Sequence, residues 1–77
     1  MLYIARDPCG YLTARSAKPF LTATSHGAEK FWHSHSGVSF ISGDEGTLAL
    51  CRALGIKAPK PGKCICYNPE MRKKEEF

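Results

Sequence analysis

The 77 residues suit one domain: a chain this short cannot divide its apolar surface between two cores, and 43% hydrophobic with 23% charged residues is too apolar for a disordered segment. The formal charge of +4 would suit an acidic partner such as nucleic acid, but its distribution weakens that idea. The charge is not gathered into one arm: Lys57, Lys60 and Lys63 lie in a Pro-rich loop, and Arg72, Lys73 and Lys74 are offset by Glu70, Glu75 and Glu76.

In chain order, Leu2–Arg6 and Tyr11–Arg15 flank Asp7-Pro8-Cys9-Gly10, which carries Asp, Pro and Gly at the first, second and fourth positions of a type I turn. Gly10 is free to take positive φ and form the bulge that matches strand twist, so a hairpin is expected. Lys18-Pro19-Phe20-Leu21 then leaves the sheet, because a proline donates no ladder hydrogen bond, and Thr22 to Gly27 reads as a polar loop. A second hairpin is expected from Lys30–Ser34 and Val38–Ile41 around His35-Ser36-Gly37. Strand alternation puts Phe31, His33 and His35 on one of its faces and Trp32 and Ser34 on the other.

Ser42 and Glu45 have capping-box spacing ahead of Leu48, Leu50, Cys51 and Leu54, which share one arc of a helical wheel. This predicts a helix from Gly43 to Leu54, closed by Gly55 in a left-handed cap with Ile56 as its apolar contact. A stiff loop, Ala58-Pro59-Lys60-Pro61-Gly62, leads to a last strand, Lys63–Tyr67. Residues 1–69 are thus expected to form a single α+β domain: an antiparallel sheet of four or five strands, from two hairpins and a C-terminal strand, packed against one helix. Residues 70–77 read as a charged, flexible tail.

The opening lacks the basic start and apolar run of a secretory signal, so a cytoplasmic chain is expected, with its four cysteines as free thiols or metal ligands. Cys64-x-Cys66 and His33-x-His35 each put alternate side chains on one strand face, and Cys9 sits in a turn. Cys9, His33, His35, Cys64 and Cys66 are therefore the candidate ligands for zinc, though neither pair has the two-to-four-residue gap of a zinc knuckle; a chain without cofactor is the simpler expectation. Cys51 falls on the buried helix face and Cys9 has no flanking base, so no catalytic nucleophile emerges and an enzyme is not expected.

Tyr3, Tyr11 and Trp32, with Arg6 and Arg15 at their rim, have the composition of a protein-interaction hot spot. A helix of about twelve residues is about 18 Å long and cannot cover both faces of a four-stranded sheet. The uncovered face is the expected partner site, in a monomer or a homodimer. Lys57, Lys60 and Lys63 are the alternative, a nucleic-acid contact.

The segment Tyr3-Ile4-Ala5-Arg6-Asp7, followed by Gly10, Leu12, Lys18 and Pro19, resembles the opening of small uncharacterised proteins encoded by phages and prophages. In those, too, a first hairpin leads to a Lys-Pro step and a tryptophan-bearing strand, which Trp32 would match. The resemblance covers about the first quarter of the chain; the helix and Cys64-Ile65-Cys66 depart from it. It implies a mobile-element accessory protein that binds and inhibits a host protein complex, such as a CRISPR-Cas defence system. The alternative is a zinc-stabilised nucleic-acid-binding module.

Overall fold

The computed structural model describes residues 1–23, 30–33 and 41–76. Among them the chain runs β1 (Leu2–Arg6), β2 (Leu12–Arg15), β3 (Phe20–Ala23), β4 (Lys30–His33), β5 (Ile41–Ser42), α1 (Asp44–Leu54), β6 (Cys64–Asn68) and β7 (Lys73–Glu76). Five strands form one antiparallel sheet in the order β5-β2-β1-β6-β7, and β3 and β4 form a second, two-stranded sheet. The α+β class read from the sequence is the observed one. No helix among these residues is long and apolar enough to cross a membrane.

The first hairpin forms where the turn residues put it. Gly10 N–H donates to the Asp7 carbonyl at 2.8 Å, Asp7 N–H donates to the Tyr11 carbonyl at 2.9 Å, and Arg6 pairs with Leu12. Gly10 has φ 105°, a conformation that a side chain would resist. Alternation along this hairpin sends Ile4, Leu12 and Ala14 to the helix side, where they pack with Cys51 and with the partly buried Leu2, Ile41, Leu48, Leu50 and Ile56.

The second hairpin differs from its expected form. β4 pairs with β3, setting Phe20 opposite His33 and Leu21 opposite Trp32. Ile41 and Ser42 instead pair with Ala14 and Thr13 of β2; residues 34–40, including Val38, lie outside the described residues. The physical reason is the place of Pro19. It stands just ahead of the first ladder residue, where its missing N–H removes no strand bond, so Phe20 to Ala23 remains free to pair.

Helix α1 begins at Asp44, not through the expected capping box. Gly43 is the N-cap and no side chain caps the helix, because Ser42 is held in β5. The start is tied to β2 instead: Gly43 N–H donates to the Leu12 carbonyl at 2.9 Å, and Leu12 N–H donates to Asp44 Oδ1 at 3.1 Å. Gly46, a poor helix former, is explained by close approach, since a Cβ there would meet Ile41 Cγ2 at 3.0 Å. The C-terminus follows expectation. Gly55 is left-handed, its N–H donates to the Arg52 carbonyl, and Ile56 N–H donates to the Cys51 carbonyl at 3.0 Å, the bond pair of a Schellman motif.

Two further features were not foreseen. The segment read as a charged tail contributes Lys73–Glu76 as an edge strand, with Cys66 opposite Glu75 and Asn68 opposite Lys73. Asn68 Oδ1 shapes the turn into it, accepting from Glu70 N–H at 3.0 Å and Met71 N–H at 3.3 Å. The main sheet is also covered on both sides. Its second face packs Ala5 and Cys64 against Trp32 of β4, with Tyr3 beside them.

Candidate functional site

Trp32 is the residue on which the two sheets meet. Its indole Nε1–H donates to the Arg6 carbonyl at 3.0 Å and its backbone N–H donates to Asp7 Oδ1 at 2.7 Å, so β4 is hooked to the end of the first hairpin. Arg15 lies alongside, with Nη2 donating to Thr13 Oγ1 at 2.9 Å and to the Trp32 carbonyl at 3.4 Å. Trp32 is 8% exposed and Arg15 6% exposed. Of the five residues expected to form a partner site, Tyr3, Arg15 and Trp32 are thus brought together in a half-buried to buried layer, whereas Arg6 offers Trp32 only its carbonyl and turns its side chain to the helix side, towards Cys51. Only Tyr11, 47% exposed, stands clear on the surface.

Because Trp32 faces inward, alternation turns its neighbours outward. His33 meets Phe20 edge-on at a ring-centroid distance of 5.7 Å and Phe31 at 5.9 Å, giving a three-ring cluster on the outer face of β3 and β4. Phe20, on that face, is 37% exposed, and Leu21, opposite Trp32 on the other face, is 39% exposed at the sheet edge. The outer-face rings have the composition of a contact patch. Phe20 and Leu21 were missed in the sequence because the preceding Lys-Pro step reads as a departure from the sheet.

The candidate zinc ligands are dispersed. Cys9 is exposed in the first turn, His33 is on the outer face of the second sheet, Cys64 lies beneath Trp32, and His35 is outside the described residues. Among the described residues no three His, Cys, Asp or Glu side chains are grouped to hold a metal. Burial pushes the Cys64 thiol up to about 12, against the opposing pull of Arg15, with Cys66 adding to the rise and Lys18 opposing it. Burial also raises Cys51, partly countered by Arg6. Both thiols therefore stay protonated at neutral pH and pack as small apolar groups.

Cys66 has a different setting. It opens onto a groove of about 270 Å³ lined by Met1, Cys66, Asn68, Met71, Lys73 and Glu75. The neighbouring Tyr3 hydroxyl is raised above its usual range, first by burial and then by Cys66, with which it shares a hydrogen bond. On the helix side a second hollow, of about 370 Å³, is lined by Ala53, Leu54, Tyr67, Pro69 and Arg72.

Lys57, Lys60 and Lys63 are exposed on a braced loop. Gly62 N–H donates to the Arg6 carbonyl at 2.9 Å, Arg6 N–H donates to the Lys63 carbonyl at 3.0 Å, and Pro59 is fully buried. No family model, curated protein or solved structure matches this chain.

Proposed function

We propose that this chain acts by binding a protein partner through the outer face of β3 and β4, as a mobile-element accessory protein that blocks a host protein complex. One observation carries the reading: Trp32 is spent inward on the chain's own core, while Phe20 and the rest of the Phe20–His33–Phe31 ring cluster are left on the outer face. An interior anchor this well held gives the outer face a rigid base, and rigid aromatic contacts lose little conformational entropy on binding. Tyr11 is a further exposed aromatic residue. The resemblance of the opening residues to phage and prophage proteins supports a partner in a bacterial host.

Affinity capture with variant baits tests this reading. A Phe20→Asp chain is expected to keep its thermal midpoint within a few degrees and to lose the partner that the unaltered chain retains. Retention of the same partner at equal affinity counts against the face.

The braced lysine loop favours a second reading, a nucleic-acid contact through Lys57, Lys60 and Lys63. Counterion release would then make binding fall steeply with salt. Capture that survives 0.5 M salt and nuclease treatment excludes it.

A further inference from the structure

We infer that the groove between β6, β7 and the start of β1 is a binding site for a soft monovalent metal ion such as Cu(I), with Cys66, Met1 and Met71 as its sulfur donors. The chain has two methionines, 70 positions apart in sequence, and both line the same groove as Cys66. Each is 60% exposed. A thioether gains little by packing at such a position, so the core does not account for two of them lining one groove with a thiol. One thiol and two thioethers form the soft donor set that favours Cu(I), whereas zinc prefers thiolate, imidazole and carboxylate.

The surroundings support a cation here. Cys66 is half-buried at the base, directly opposite Glu75, whose carboxylate favours positive charge in the groove. Asn68 accepts from Met71 N–H at 3.3 Å and so positions the backbone that carries one donor. Tyr3, hydrogen-bonded to Cys66, supplies an O–H that can donate to the thiolate once the ion is bound, as outer-shell partners of metal ligands do. In the binding step the Cys66 S–H bond breaks, its proton passes to solvent, and the sulfur lone pair forms the bond to the ion. The two thioethers add lone pairs, and no electron is transferred. Thiolate and monovalent ion together are neutral, so Lys73 at the rim imposes little penalty.

The test uses the full chain with Cys9→Ser, which removes the exposed competing thiol. Carbon-13 methyl labelling of methionine gives two resonances, and Ag(I) serves as a redox-inert probe beside Cu(I) held under reducing conditions. Both methyl signals are expected to move together and saturate at one equivalent. Met71→Leu, at an exposed position that leaves the thermal midpoint in place, is expected to weaken binding at least tenfold, and Cys66→Ser at least a hundredfold. Saturation with the methyl signals unmoved, equal affinity in Met71→Leu, or preferential uptake of Zn(II) would overturn the assignment.

Discussion

Trp32 donates its backbone N–H to the Asp7 carboxylate at 2.7 Å, and through that bond the two-stranded sheet is locked to the first turn of the five-stranded one. Asp7 thus serves twice, since its carbonyl also closes the turn by accepting from Gly10. A hydrogen bond to a charged group contributes about 1.5–3 kcal/mol. Asp7→Ala should lose stability of that order, and Asp7→Asn, which keeps an acceptor, should lose less. Trp32 is the chain's one tryptophan, so its fluorescence reports the unfolding directly. An Asp7→Ala chain with an unchanged midpoint would mean that the hook carries no stability.

Gly10 is the second point of sensitivity. Nothing lies within 4 Å of where its Cβ would stand, so substitution there meets strain at φ 105° and no clash. Gly10→Val should cost about 1–3 kcal/mol, and Gly10→Asn, which tolerates positive φ better, should cost less. Equal stability of the two variants in chemical denaturation would show that the turn does not hold this conformation in solution.

Thr47 is expected to respond in the opposite direction. It is fully buried on the helix, and its Oγ1 has no hydrogen-bond partner among the described residues. Burying an unsatisfied hydroxyl costs about 1–3 kcal/mol. Thr47→Val keeps the shape and removes the polar atom, so it should stabilise the fold by about 1 kcal/mol. A loss of stability would indicate that the hydroxyl is satisfied in solution.

The buried thiols fix the alkaline behaviour. The folded chain holds the Cys64 thiol at about 12 against an ordinary 9.0, so above the lower value the unfolded state sheds a proton that the folded state keeps. The stability this contributes is complete below pH 9.0 and is lost as pH rises towards 12. Denaturation of the unaltered chain should therefore show a decline across that window that is shallower in Cys64→Ala. Parallel pH profiles would remove Cys64 as its source. In the native state at pH 8 a thiol reagent should label exposed Cys9 rapidly, and Cys51 and Cys64 only on unfolding.

What the sequence made legible was local. Asp7 to Gly10 encodes a turn within four residues, and Gly55-Ile56 encodes a helix end within two, so both could be read without knowing the rest of the fold. Ile41 and Ser42 could not, because two residues carry no period, and Ser42 satisfies a capping pattern as readily as a strand pairing. Strand β7 was hidden by its charge; an edge tolerates Lys73 to Glu76 because all four side chains stand in water. For Trp32, alternation separates its face from that of His33 but does not say which face turns inward. That choice depends on Asp7 and Arg6, about 25 positions earlier in the chain. The site residues inherit this uncertainty: Tyr11 was legible as a surface aromatic, whereas the outward position of Phe20 follows from the inward one of Trp32.

Site-specific photocrosslinking in bacterial lysate tests the interaction face most directly. A photoreactive phenylalanine is placed at Phe20 in one chain and, in another, at the exposed helix position Ala49. The outer face of β3 and β4 predicts a discrete protein adduct from position 20, suppressed by excess unlabelled chain and absent from position 49. An adduct of that kind from position 49, with none from position 20, would contradict it.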